Sequence, residues 1–193
     1  MTHCGDGGNL ATSYLWREEV RPEDVEVVWK LVTATGFFSD QERDVAVELV
    51  EEYLRRGPAS GYRFLFAELD GRPVGYVCYG PIPCTVGSFD LYWIVVDPRQ
   101  QRRGLGRRLL EHAEQRIKRA GGRHVYVETS GRAQYAPTRA FYERCGYSVA
   151  AALADFYYPG DPKIVYRKVL SQGVSCSDVA ALPEHPGTAT RGL

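Results

Sequence analysis

The sequence has no run of about 18 apolar residues, which is the length that a membrane-spanning helix requires. Its first ten residues, MTHCGDGGNL, also lack the basic-then-apolar pattern of a secretory signal peptide. These two absences exclude an integral membrane helix and disfavour export. We therefore expect a cytoplasmic protein without a membrane partner.

Cysteine and histidine are too few and too scattered to build a disulfide framework or a metal site. The five cysteines contain no C-x-x-C pair, and the four histidines show no ligand spacing. We expect reduced, structural thiols and no bound metal. These residues are Cys4, Cys78, Cys84, Cys145, Cys176, His3, His112, His124 and His185.

Net charge is also missing, because 24 lysines and arginines balance 24 aspartates and glutamates. A neutral chain lacks the long-range positive field that draws proteins onto nucleic acid, so a nucleic-acid partner is disfavoured. What the chain does have is 193 residues, of which 44% are hydrophobic. That composition favours one globular domain with a substantial core.

Hydrophobic periodicity and turn residues predict an alternating series of strands and helices in the order β-α-α-β-β-β-α-β-α-β-β. Strands are expected over 13–20, 62–69, 73–80, 90–96, 124–130, 147–157 and 163–170. Helices are expected from Pro22, Ser39, Gly104 and Thr138. We place one domain at 13–170, with flexible segments at 1–12 and 171–193.

An arginine-rich segment, VVDPRQQRRGLGRRLL at 95–110, joins a predicted buried strand to a predicted helix. Glycine at a helix start lets the chain approach an anion, and the unpaired N–H groups and dipole of the first turn attract phosphate. The glycine spacing is neither G-x-G-x-x-G nor G-x-x-x-x-G-K-[ST], which disfavours a dinucleotide fold and a P-loop. A phosphorylated ligand, nucleic acid and a solvated helix start are the three interpretations of this segment.

Two motifs resemble those of the GCN5-related N-acetyltransferases, the GNAT family. Gln101, Gly104 and Gly106 fill the family's acyl-coenzyme A signature, [QR]-x-x-G-x-[GA], after a strand and before a long helix. A second motif, YAPTRAFYERCGY at 135–147, matches at Phe141, Tyr142, Gly146 and Tyr147, whereas Tyr135 and Thr138 replace the family's asparagine and alanine. The resemblance covers about residues 14–170. It implies an α/β (α+β) fold with a mixed, mostly antiparallel central sheet and flanking helices.

The resemblance further implies acetyl-CoA as cosubstrate. Backbone amides of the loop would hold the pyrophosphate, with charge-assisted contacts from arginines. The pantetheine arm would pair with the central strand where family strands splay apart, and a strand amide near Val95 or Val96 would stabilise the thioester oxygen. The implied cofactor-binding residues are Ile94, Val95, Val96, Gln101, Arg102, Arg103, Gly104, Leu105, Gly106, Arg107, Thr138 and Tyr142.

Tyr142 matches the family tyrosine that protonates the leaving thiolate. A thiolate pKa is about 8.5 and a phenol pKa about 10, so such a tyrosine can donate without a strong perturbation. Two carboxylates are candidates for the general base, Glu128 and Asp90. Alternation puts Asp90 and Tyr92 on the same face as Ile94 and Val96. We favour Glu128, because a carboxylate in an otherwise apolar strand is expected to be desolvated and to have a raised pKa.

The resulting prediction is an enzyme that acetylates a primary amine of a small molecule by direct attack. Acetylation of a protein or peptide amine and a non-catalytic acyl-CoA-binding module are the alternatives. The family includes many dimers, so a homodimer is also compatible with the resemblance. By family analogy, the acceptor cleft is bordered by the segments that contain Phe37, Phe38, Tyr79, Tyr92, Phe156, Tyr157 and Tyr158. We expect most of these to be core or rim aromatics; a few lining a pocket would suit a small amine, with Asp155 and Asp161 as a source of negative charge.

Overall fold

A computed structural model describes residues 13–170 of the chain, so the two segments expected to be flexible, 1–12 and 171–193, lie outside the described residues. The strands are β1 (Leu15–Arg17), β2 (Arg63–Leu69), β3 (Arg72–Pro81), β4 (Ser88–Val96), β5 (His124–Ser130), β6 (Ser148–Tyr158) and β7 (Asp161–Val169). The helices are α1 (Asp24–Ala34), α2 (Asp40–Arg56), α3 (Leu105–Arg119) and α4 (Ala136–Arg144). The predicted order of elements is confirmed. Among the described helices, none is both long and apolar enough to cross a membrane.

Seven strands form one sheet in the order β1-β2-β3-β4-β5-β7-β6. Neighbouring strands are antiparallel except β4 and β5, which run parallel. The predicted mixed, mostly antiparallel sheet is therefore confirmed. Helices cover both faces of it. One core cluster contains Val28, Val32, Val50, Phe66 and Tyr76 from α1, α2 and the sheet, and the other contains Leu105, Leu109, Ile117, Val77 and Tyr142 from α3, α4 and the sheet.

The first strand is shorter than the sequence predicts, because β1 ends at Arg17. The Arg17 guanidinium lies 2.8 Å from Asp24 at the start of α1 and 2.6 Å from Glu68 of β2. Asp24 is itself buried and accepts a hydrogen bond from the Arg21 N–H at 2.7 Å. This ion-pair network draws the chain off the sheet edge toward α1, and the helix therefore begins at Asp24 and not at Pro22.

The other edge strand, β6, is long and exposed along its whole length. Its exposed side chains include Val149, Leu153 and Phe156. A long apolar edge strand offers unpaired backbone groups to a second chain. The homodimer stays a prediction, and among the described surfaces this edge is the one on which we would look for it.

Candidate active site

The candidate active site is a fork between the two parallel strands at the centre of the sheet. The ladder between β4 and β5 consists of three pairs and ends where Asp90 lies opposite Tyr126. Beyond that pair, β4 follows β3 to Val96, whereas β5 follows β7 to Ser130. The strands thus splay as the family resemblance implies, and one edge of residues 91–96 faces the gap.

The hydrogen bonds at the end of β4 identify which backbone groups face this fork. The Asp97 N–H donates to the Val74 carbonyl at 2.9 Å, on the side of β3. Successive residues of a strand direct their N–H and C=O groups to opposite edges, so those of Ile94 and Val96 face the fork. The Gln101 side-chain amide donates to the Val96 carbonyl at 3.2 Å, which agrees with this direction. By the same alternation the Val95 amide faces β3. Of the two residues named for the thioester oxygen, only Val96 therefore directs its amide to the fork, and the Ile94 amide lies on the same edge.

Strand β4 contains a β-bulge at Tyr92. Trp93 lies opposite Cys78 and Leu91 lies opposite Tyr79, which leaves Tyr92 as the extra residue. A bulge of this kind shifts the alternation of side chains between the two faces of a strand. Odd-numbered residues therefore face one side of the sheet before Tyr92, and even-numbered residues face that same side after it.

The bulge corrects the predicted arrangement of the strand. Leu91, before the bulge, belongs to the core cluster beneath α3, and Ile94 and Val96, after it, pack against the same cluster. Asp90 adjoins Leu91 and consequently points to the opposite face of the sheet. The expectation that Asp90 and Tyr92 share a face with Ile94 and Val96 is wrong, because regular alternation does not hold across an inserted residue.

The loop between β4 and α3 presents an uncapped helix start. Gly104 is the N-cap residue with φ 79° and ψ 0°, a left-handed conformation that favours glycine. No side chain caps this helix, and its Arg108 N–H donates to the Gly104 carbonyl at 3.1 Å. The N–H groups of residues 105–107 are the ones that a helix leaves without an intrahelical partner. This helix start is therefore suited to an anion such as a pyrophosphate.

Gly106 lies where the loop, the central strand and α4 meet. A Cβ atom at this position would lie 3.6 Å from the Phe141 ring and 3.7 Å from Val96. These are ordinary van der Waals separations, so the position accepts glycine or alanine, as the motif specifies. Thr138 lies one turn before Phe141 on α4 and is partly buried. The three elements form one wall beside the fork.

Tyr142 is 4% exposed and packs among other aromatic rings of the core. The ring centroids of Phe141, Tyr147 and Tyr166 lie 5.3, 5.6 and 6.0 Å from its own. Burial, followed by the nearby Cys145, raises the pKa of the Tyr142 phenol. The hydroxyl therefore keeps its proton throughout the neutral pH range.

The two candidate bases lie on the sheet face opposite Tyr142 and differ in burial. Burial, and then the charge of Glu128, raises the pKa of the partly buried Asp90, whereas Lys163 opposes that rise. The Glu128 side chain is 51% exposed, and its Oε2 lies 2.6 Å from Lys163 Nζ. The expected desolvation of Glu128 is wrong. Its side chain extends into solvent, although its neighbours on β5, Val127 and Thr129, are both buried. Asp90 is the carboxylate with the predicted environment.

A family model described as the acetyltransferase (GNAT) family matches residues 25–147, a segment that contains the fork, the loop and Tyr142. The chain belongs to the GNAT acetyltransferase family. Family membership supports an acyltransferase that uses acetyl-CoA. The open edge of β4 and the uncapped start of α3 fit the pantetheine arm and the pyrophosphate of that molecule.

Solved structures support the assignment to the GNAT family. A GNAT-family protein from Desulfovibrio desulfuricans is 50% identical, with a TM-score of 0.80 over 81% of this chain and 99% of that one. An aminoglycoside 6′-N-acetyltransferase crystallised with coenzyme A is 20% identical, with a TM-score of 0.67 over 83% of this chain and 99% of that one. At 20% identity the likeness concerns the fold alone.

A curated relative matches over a shorter segment. The [ribosomal protein bS18]-alanine N-acetyltransferase of Escherichia coli (strain K12) is 39% identical over 67 residues. The match spans 35% of this chain and 44% of that protein, so it covers less than half of the relative.

The arginines of the GNAT loop differ in their surroundings. Arg102, with φ 59°, and Arg103 are exposed in the loop. Arg107 is exposed as well, and its Nε lies 2.8 Å from a carboxylate oxygen of Glu111 one turn along α3. A phosphate would have to compete with Glu111 for Arg107, and with the side-chain oxygen of Gln100, 3.5 Å away, for Arg103. Phosphate contacts by all three stay predictions.

The aromatic residues predicted to border the acceptor cleft of this GNAT protein fall into two groups. Tyr79 is a core residue, as we expect for most of these aromatics. Phe38 is partly buried and packs edge-on against Trp93 at a centroid distance of 4.8 Å. Those exposed at the surface are Phe37, Tyr92, Phe156, Tyr157 and Tyr158. The Phe37 ring, between α1 and α2, lies 6.3 Å from that of Tyr135 at the start of α4, so these two segments meet.

The acidic residues near the β6–β7 turn are already engaged. Asp161 is buried, accepts a hydrogen bond from the Ser130 hydroxyl at 2.5 Å and pairs with Arg132 at 3.1 Å. Asp155 accepts a hydrogen bond from the Gly160 N–H at 2.6 Å and so stabilises the turn. The charge of Asp161 is therefore balanced by Arg132, and the contribution of Asp155 to the acceptor cleft stays a prediction. Across residues 13–170, no group of three or more His, Cys, Asp or Glu side chains is arranged to hold a metal.

Proposed function

We propose that this GNAT protein transfers an acetyl group from acetyl-CoA to a primary amine of a small molecule by direct attack. The observation that carries the proposal is the fork, which opens between a carboxylate face and the face that holds Tyr142. Direct transfer needs a base for the attacking amine and an acid for the leaving thiolate. An opening between two such faces lets each group approach from its own side.

Donor binding uses the loop and the open strand edge. The backbone amides of residues 104–107 would hold the pyrophosphate, and the fork-facing amides of Ile94 and Val96 would pair with the pantetheine arm. The Ile94 N–H is the nearer of the two to Asp90 along the strand, so we place the thioester oxygen there. A fixed backbone donor at this point stabilises the negative charge that develops on the oxygen during attack.

Asp90 would accept the proton of the attacking amine, directly or through water, and Tyr142 would donate a proton to the departing sulfur. A raised pKa makes a carboxylate a better base near neutral pH, which favours Asp90 over an ordinary surface carboxylate. Glu128 lies on the same face, paired with Lys163, and its charge contributes to the raised pKa of Asp90. Both assignments are proposals.

We expect Asp90→Asn to lower kcat/KM by about 100-fold near neutral pH, because the amide cannot accept a proton. The acidic limb that Asp90 causes should disappear, and activity should recover as rising pH deprotonates the amine. The matched variant Glu128→Gln should lose about tenfold or less and keep an acidic limb. The measurement is kcat/KM against pH for both variants. A larger loss in Glu128→Gln than in Asp90→Asn would reverse the assignment of the base.

The contact between Phe37 and Tyr135 supports a small-molecule acceptor. It joins the segment between α1 and α2 to the start of α4, which narrows the surface beside the fork, whereas a peptide needs an open groove. The local sequence identity to a ribosomal-protein alanine acetyltransferase is the observation that favours the alternative, a peptide acceptor.

A thiol-release assay with acetyl-CoA and a panel of acceptors tests the function. The panel contains polyamines, aminoglycosides, amino acids, amino sugars and peptides with a free N-terminal amine. We expect turnover with at least one small amine and none with the peptides. Turnover confined to peptides would favour the alternative substrate class. Tight acetyl-CoA binding without turnover on any amine would favour a non-catalytic acyl-CoA-binding module.

A further inference from the structure

Lys163 lies beside the carboxylate face of the fork, and no motif in the sequence identifies it. On β7 it is paired with Ser130 of β5, and on the other side with Leu153 of β6. Cross-strand partners share a face, and Ser130 and Glu128 are two residues apart on β5. The Lys163 side chain therefore lies on the same face as Glu128 and Asp90.

The surroundings of Lys163 hold its ammonium in one place. The side chain is 14% exposed, with Nζ 2.6 Å from Glu128 Oε2. The same Nζ lies 3.8 Å from the centroid of the Phe156 ring. A lysine is seldom buried to this extent unless it is paired, and an aromatic face attracts a cation. Phe156 also covers the ion pair on one side, which lowers the solvent screening between the two charges.

The cluster contains two carboxylates and one ammonium, so only one negative charge can be neutralised within it. Glu128 takes the direct contact with Lys163. Asp90 experiences both charges, since Glu128 raises its pKa and Lys163 lowers it after the larger effect of burial. Without the ammonium, Asp90 and Glu128 would be two like charges on one face, and one of them would tend to remain protonated.

Other titratable groups face this cluster from the neighbouring elements. Tyrosines are neutral below a pH of about 10. Burial raises the pKa of Tyr92 to about 12, with Asp90 as the next cause, and burial and then Glu128 raise that of Tyr157. Asp161 is compensated by Arg132. The groups are Tyr92 of β4, Tyr62 before β2, Tyr126 of β5, Tyr157 of β6, and Asp161 with Arg132 at the end of the β5–β7 pair. Lys163 is thus the cation in direct contact with one of the two candidate general bases, Glu128.

We infer that Lys163 is a positioning residue, which neutralises Glu128 and thereby leaves Asp90 free to accept the proton of the amine. The inference rests on the proposed function, because it concerns the base of that reaction. It goes beyond that function because it identifies the group that determines which carboxylate can accept the amine proton, and at what pH.

The test compares Lys163→Met, which keeps the length of the side chain without its charge, with Lys163→Arg, which keeps the charge. Carboxyl ¹³C NMR of the full chain measures the titration of Asp90, with Asp90→Asn identifying its signal. In Lys163→Met, we expect the Asp90 midpoint to rise by about one pH unit, because a nearby cation is lost. In Lys163→Arg, it should stay close to that of the unsubstituted protein. The acidic limb of kcat/KM should move in the same way, and the affinity for acetyl-CoA should be unchanged.

An unchanged Asp90 midpoint in a folded Lys163→Met variant would overturn the inference. A merely structural lysine would lower the thermal midpoint of that variant without moving the titration, so circular dichroism is recorded alongside. If no amine in the panel is acetylated, the proposed function fails, whereas the NMR titration still decides whether Lys163 controls the charge of Asp90. The two failures are therefore distinguishable.

Discussion

Tyr142→Phe is expected to lower kcat by about 1,000-fold, with the KM for acetyl-CoA changed by about twofold or less. The substitution removes the proposed proton donor to the leaving thiolate and keeps the ring that packs in the core. Burial raises the pKa of this phenol, so the hydroxyl is protonated at every pH at which the assay is run. The loss should therefore be the same across the neutral range. Steady-state kinetics of the folded variant measure it.

Tyr166→Phe is the matched control for this result. Its ring centroid lies 6.0 Å from that of Tyr142, but its hydroxyl donates to Glu143 at 2.8 Å. The same chemical change one ring away should leave kcat within about threefold of the unsubstituted protein, which is less than 1 kcal/mol in the barrier. Equal losses in both variants would indicate a packing effect. Full activity in Tyr142→Phe would mean that the thiolate leaves without a proton from this residue.

Gly104→Asp should weaken the binding of acetyl-CoA by about 1,000-fold. A carboxylate about 4 Å from a pyrophosphate charge, at an effective dielectric constant of about 20, costs about 4 kcal/mol, which is this change in Kd. Space is not the obstacle, because a Cβ atom at Gly104 would have no neighbour within 4 Å. Isothermal titration calorimetry with coenzyme A measures the difference directly.

Gly104→Asn separates charge from backbone conformation. Asparagine and aspartate have nearly the same shape, both tolerate the left-handed region better than most residues, and both can cap a helix. We expect Gly104→Asn to bind within about tenfold of the unsubstituted protein, since it brings strain and a cap but no charge. Equal weakening by the two variants would show that the anion does not lie at this helix start.

Much of this architecture is predictable from local patterns. The hairpin of β2 and β3 follows from two apolar runs around Asp70 and Gly71, and α3 follows from an apolar stripe closed by Gly121. Motif spacing locates the loop at Gly104 because a helix start needs particular residues within a short stretch. These features depend on residues that are close together in the sequence, so one sequence is enough to predict them.

Features that depend on contacts between distant strands are not predictable in this way. The bulge at Tyr92 is defined by the pairing of β4 with β3. The apolar run in the sequence has the same pattern whether or not one residue is left unpaired. The partner of Glu128 comes from β7, and a lysine within a strand gives no sign of the carboxylate that it will meet. The proposed preference for Asp90 over Glu128 therefore rests on burial and on the contact with Lys163, and strand composition reveals neither of them.

The extra residue in β4 gives that strand one position at which a residue can be lost. Exchanges between apolar residues of similar volume, such as Val95→Ile, change packing by small amounts. Loss of the codon for Tyr92 would leave Leu91 opposite Tyr79 and Trp93 opposite Cys78, which is a regular ladder. Leu91 would stay in the core beneath α3 and Asp90 on the opposite face, because the side chains of a regular strand alternate. A deletion at Tyr92 would thus remove one ring and the local twist of the bulge, while the packing and the proposed base stay in place.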